Sequence, residues 1–118
     1  MKTEPLKLRT GFDTLPTKKF TELILERAIE DKADKIIFEL AQDFQITRLT
    51  GAKESKSAPA SANLYEVTIR ILLTATEIQY WTKGEVSAPL ETVNPISKWM
   101  LESKDLTKRV ELRRIRAM

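Results

Sequence analysis

The stretch that decides the fold is KKFTELILERAIEDKADKIIFELAQDFQITRLTG, residues 18–51. Its first half has a helical period. Phe20, Leu23, Ile24 and Ala28 form one stripe, Leu25 and Ile29 widen it, and Lys18, Lys19, Glu22, Glu26, Arg27 and Glu30 lie largely outside it. Thr17, after Pro16, is the expected N-cap. Such a helix lays one face on a sheet. The second half changes character. Asp34–Leu40 and Phe44–Thr50 are short runs rich in strand formers, separated by Gln42-Asp43 and closed by Gly51. They read as a strand, a tight turn and a second strand.

Downstream the pattern loosens. Residues 52–63 are dominated by Ser, Ala, Lys and Pro and read as a mobile loop. Tyr65, Val67, Ile69 and Ile71 alternate with polar residues, which predicts a third strand. Glu77–Lys83, ending at Gly84, reads as a fourth strand antiparallel to it. Asn94-Pro95 is a cap and first position for a second helix carrying Ile96, Trp99 and Met100. From Leu106 onward the pattern suits either strand or helix. The expected fold is α+β in two layers: an antiparallel sheet of about four strands with two helices on one face. One domain of 118 residues is expected, with an N-terminal arm (1–15), the loop (52–63) and a basic C-terminal tail (104–118).

Composition narrows the chemistry. There is no cysteine and no histidine, which removes the thiolate ligand, the commonest general base and the commonest metal ligand. No cofactor is expected. The three glycines, Gly11, Gly51 and Gly84, are too far apart for a phosphate-binding loop. Glu26 and Glu30 share a helix face, but Lys18, Lys19, Arg27 and Lys32 interleave with them, which describes a solvated face. No apolar run reaches membrane-spanning length and the first residues lack a signal-like apolar stretch, so a cytoplasmic location without a membrane span is expected. The net charge of +3 is concentrated near the end, where Lys104, Lys108, Arg109, Arg113, Arg114 and Arg116 face only Asp105 and Glu111.

These features suggest binding rather than catalysis. Tyr80 and Trp81 are adjacent on the expected fourth strand and point to opposite faces, so one of them is expected on the surface. Leu72 and Leu73 break the alternation of the third strand, which puts one of them off the core. Tyr80, Trp81 and Leu72 are therefore candidates for a partner-binding surface, and with an edge strand they would make a mostly apolar contact with a protein or with a second copy in a homodimer. Arg109, Arg113, Arg114 and Arg116 are candidates for pairing with an acidic protein or with phosphates. The alternative is a small RNA- or DNA-binding domain that uses this tail, with Tyr65, Tyr80, Trp81 and Trp99 as stacking platforms near Arg48 and Arg70. An enzyme ranks third.

Residues 20–51 also resemble part of a known family: the N-terminal domain that precedes the motor in type II secretion and type IV pilus assembly ATPases. That family runs a helix into a "GASDIHIEP" strand, then a turn, then a strand ending "RYRIDG". The matching text is LILERAIEDKADKIIFEL followed by AQDFQITRLTG, with Ala33, Ile36, Glu39, Arg48, Leu49 and Gly51 in register. A fainter similarity follows in NPISKWMLESKDLTKRVELRR, where Leu106 and Arg109 fall near the family's "LDIAEKRRPQ". The departures are Asp34-Lys35 for the family's Ser-Asp, Ile37 for its His, Leu40 for its Pro and Thr50 for its Asp, and residues 52–84 have no counterpart. The resemblance implies an α+β module that contacts subunits or a partner, as an adaptor or regulator of a secretion or pilus machine.

Overall fold

The structure is a computed structural model that describes residues 14–57, 59–74, 76, 83–93 and 96–115. Its elements run α1 (Thr14–Glu30), β1 (Lys35–Leu40), β2 (Phe44–Thr50), β3 (Lys53–Lys56), α2 (Asn63–Leu73), β4 (Lys83–Val93), β5 (Ile96–Asp105) and β6 (Arg109–Arg114). The strands form one antiparallel sheet in the order β3-β2-β1-β6-β5-β4. The α+β class holds, and so does the first helix; there are two helices, but the second lies at residues 63–73 and not after Asn94. The sheet has six strands rather than about four.

Residues 18–51 fold as their pattern dictates. α1 begins at Thr14, ahead of the expected cap at Thr17, so Pro16 sits in the first turn, where a missing N–H costs nothing. Its buried stripe is Thr21, Ile24, Leu25 and Ala28, while Leu23 is half exposed. The helix closes through Lys32, whose φ of 58° is the left-handed turn of a helix end, with Ala33 N–H donating to the Ala28 carbonyl. β1 and β2 pair from Lys35↔Leu49 to Leu40↔Phe44. Asp34 pins both strand ends, because its carboxylate accepts from Gly51 N–H and its carbonyl accepts from Arg114 N–H.

Four expectations are corrected. The 52–63 stretch contains β3, an edge strand. Residues 63–73 are helix α2, not a strand. Tyr65, Thr68, Ile69, Leu72 and Leu73 are buried at spacings of three and four, and this helical stripe prevails over the alternation of Tyr65, Val67, Ile69 and Ile71. Residues 96–105 are strand β5, not a helix. Ser97, Trp99, Leu101 and Ser103 face inward at a period of two. The basic tail is not a tail up to Arg114: it forms β6, between β1 and β5 in the middle of the sheet.

Both helices cover the same face. Ile24, Leu25 and Ala28 of α1 and Tyr65, Ile69, Leu72 and Leu73 of α2 share one core with Ile36, Phe38, Phe44, Ile46, Leu90, Trp99, Leu101, Val110 and Leu112 of the sheet. Tyr65 ties α2 to the β5–β6 turn, its hydroxyl donating to the Leu106 carbonyl at 2.8 Å. Burial, and secondarily the charge of Asp105, push its phenol far above the ordinary value of 10.0. The unfolded chain loses this proton near pH 10 while the folded chain keeps it, so the unfolded state binds fewer protons and stability falls as pH rises above about 10. Tyr65→Phe is expected to flatten that alkaline slope, at a cost near neutral pH of about 1 kcal/mol for the lost hydrogen bond. Urea midpoints measured from pH 7 to 11 read both effects.

Candidate protein-interaction face

A strand alternates its side chains between faces, so the register assigns every sheet residue to the helix side or to the opposite side. On the opposite side stand Lys35, Ile37 and Glu39 of β1, Arg109, Glu111 and Arg113 of β6, Lys98, Met100 and Glu102 of β5, and Ser87, Pro89 and Glu91 of β4. Neither helix covers this open face.

Its charges are matched within the plane of the sheet. Arg109 lies between two carboxylates, 2.9 Å from Glu111 and 3.9 Å from Glu39. Lys35 reaches Glu111 at 3.5 Å from the neighbouring strand. Arg113 pairs with Glu102 at 3.2 Å, and Lys98 with Glu91 at 3.7 Å. Each ion pair is partly exposed and contributes little to stability by itself. Together they make a neutral mosaic of neighbouring opposite charges.

The candidate residues read from sequence fare unequally. Arg109 and Arg113 lie on this face, each with an acidic partner. Arg114 points the other way, its guanidinium 5.2 Å from the centre of the Trp99 ring. Leu72 is no surface residue: it is buried in the core from α2, because it belongs to the helical stripe and not to a strand. Tyr80, Trp81 and Arg116 lie outside the described residues, as do the arm residues 1–13. Tyr65 and Trp99 are fully buried and offer no stacking platform. The Trp99 indole N–H donates to Ser97 Oγ, which also bonds Thr92 Oγ1. Arg48 faces the helix layer and forms an ion pair with Asp31 at 3.1 Å, without the alignment of a hydrogen bond.

The edges do not suit strand addition. β3 is short and carries Lys53, Glu54 and Lys56. β4 is long but carries Pro89, which has no N–H to offer an incoming strand. Among the described residues, exposed large apolar side chains other than Leu23 lie where the β4–β5 hairpin runs beyond the last β5–β6 pair. Ile96 is 81% exposed there and Ile115 is 37% exposed, and Pro89 and Met100 flank them on the same face. Sequence reasoning missed this corner because Ile96, Trp99 and Met100 also fit a helix stripe. The signal available was the inward series Ser97, Trp99, Leu101 and Ser103.

Among the described residues, no group of three or more Asp or Glu side chains is placed to hold a metal ion. No described helix is long and apolar enough to cross a membrane. Neither a protein-family model nor a curated protein matches the chain.

Proposed function

We propose that this chain is a non-catalytic protein-interaction module and that the open face of its sheet is the contact surface. The observation that carries this reading is the neutral, ion-paired mosaic on a face that neither helix covers. Gripping a nucleic-acid backbone requires cations free to replace counterions. Arg109 and Arg113 are already engaged with carboxylates, which disfavours the nucleic-acid alternative. A patterned mosaic instead selects a protein surface of matching charge order and rejects a mismatched one by juxtaposing like charges. The resemblance of residues 20–51 makes a secretion or pilus machine the first place to seek the partner.

Affinity capture with the wild type and with the double variant Lys35→Glu/Glu39→Lys tests the reading. A protein retained by the wild type and lost with the reordered charges is the expected result. Recovery of nucleic acid alone, with an affinity that falls steeply with salt, would overturn it in favour of the RNA- or DNA-binding alternative.

A further inference from the structure

We propose that the open face takes a helix of a partner protein, laid along β6, that presents an acidic, a basic and an acidic side chain on successive turns. This rests on the reading of the open face as a contact surface and states the chemistry of its occupant.

The register lays the face out in rows across the strands. Lys35, Arg113, Met100 and Pro89 stand side by side in one row, and Ile37, Glu111, Glu102 and Ser87 in the next. Each row sets like charges against each other: Lys35 is directly opposite Arg113, and Glu111 is directly opposite Glu102. Like charges in directly opposite positions destabilise a sheet. The ion pairs Lys35–Glu111 and Arg113–Glu102 run diagonally between the rows and offset part of that cost. The result is a cationic pair beside an anionic pair, and such a break of a local rule is what functional surfaces carry. Along β6 itself the outward charges alternate, from Arg109 through Glu111 to Arg113.

Geometry selects a helix to meet this pattern. β6 is a central strand with both backbone edges paired, so the face above it offers side chains and no free backbone groups. Its occupant must satisfy its own backbone hydrogen bonds, as a helix does. Outward side chains two residues apart on a strand are separated by about 6.8 Å. Helix residues four apart are separated by about 6 Å along the axis. An acid, a base and an acid at i, i+4 and i+8 therefore come over Arg113, Glu111 and Arg109 in turn. The first acid also meets Lys35, and the base also meets Glu102. A helix about 10 Å wide spans the distance from β1 across β6 to β5, at about 4.8 Å per strand. That width brings half-buried Ile37 under one apolar flank and half-buried Met100 under the other. The Arg109 and Arg113 side chains are about half exposed, and a guanidinium has several N–H donors, enough to keep its carboxylate within the face and accept a second one from above.

Fluorescence-anisotropy titration of the full chain with two labelled alanine-based helical peptides tests the proposal. One peptide carries Glu, Lys and Glu at i, i+4 and i+8 between flanking leucines; the other carries Lys, Glu and Lys in the same places. The first should bind tighter by roughly tenfold or more, because the second juxtaposes like charges. Arg109→Glu/Glu111→Lys/Arg113→Glu should reverse the preference. Arg109→Gln/Glu111→Gln/Arg113→Gln should abolish it with the circular dichroism unchanged, since these side chains lie outside the core. Equal binding of the two peptides by the wild type, or binding of neither, overturns the proposal, as does a preference that survives the glutamine variant. A protein captured by the wild type and lost with Lys35→Glu/Glu39→Lys, with no peptide preference, overturns the helix and leaves the interaction reading standing.

Discussion

Phe44→Ala is expected to lower the free energy of unfolding by about 3–5 kcal/mol, the range for emptying a fully buried aromatic site. Phe44 is the first residue of β2 and is completely shielded from solvent. Three rings converge on it: Phe20 of α1 edge-on at 6.3 Å, Phe38 of β1 tilted at 6.2 Å and Tyr65 of α2 edge-on at 5.4 Å. Edge-on pairs of this geometry add to the area term. Removing one ring therefore loosens α1, β1 and α2 together. Domains of this size have about 5–15 kcal/mol in total, so the variant should sit near the limit of folding. Urea denaturation should show a large drop in midpoint at nearly constant slope. Leu23→Ala on the exposed side of α1 should change stability by no more than about 0.5 kcal/mol. A Phe44→Ala cost below that of an ordinary surface substitution would mean that the aromatic cluster does not join the two helices to the sheet.

The second large effect is expected at Val110. This residue is fully buried in β6 and stands opposite Phe38 on the helix side of the sheet. Val110→Asp puts a carboxylate into that apolar layer, which should cost more than about 4 kcal/mol or raise the pKa of the new group until it is neutral. The expected outcome is loss of the cooperative urea transition at neutral pH. Arg109→Ala, one residue earlier on the opposite face, removes only part-exposed ion pairs and should cost about 1 kcal/mol or less. The contrast between adjacent residues separates a central strand from a basic tail. Equal, small effects at both positions would contradict the place of β6 in the sheet.

The legible part of the fold was the part with a single period. In residues 18–51 the helical stripe joins Phe20, Ile24 and Ala28 to Leu23 and Leu25 of the opposite parity and so cannot be read as alternation, while Phe44 and Ile46 alternate over a run too short for a helix. The misread elements satisfy two periods at once. Tyr65 and Ile69 fit both a strand face and a helix stripe, and the adjacent pair Leu72-Leu73 was the residue-level evidence for the helix. In β5, Trp99, Met100 and Leu101 are consecutive apolar residues, and the outward position of Met100 is fixed only by its neighbours Pro89 and Arg113 across the sheet. Tertiary pairing, not local propensity, decides such cases.

The candidate site was less legible for a related reason. The arginines were visible as a cluster of charge, but their partners Glu39, Glu102 and Glu111 come from three strands, and only the register brings them within reach. A charge count over residues 104–118 takes in Arg109 and Arg113 but misses two of the carboxylates that neutralise them, Glu39 and Glu102. Leu72 was assigned to the surface on a strand geometry that the chain does not adopt.

The strand order has a consequence for the birth of the protein. β1 pairs on one side with β2, its immediate successor, and on the other with β6, so that Glu39 waits for Arg109, about seventy residues later in the chain. At roughly 5–20 residues per second, a ribosome leaves that flank of β1 without its mate for several seconds. During this interval Lys-Ile-Ile-Phe-Glu-Leu is a hydrophobic ribbon with one vacant row of amides, the kind of nascent segment that joins a neighbouring chain or is held by a chaperone. The central place of β6 therefore makes completion of the sheet wait for the last strand to be made.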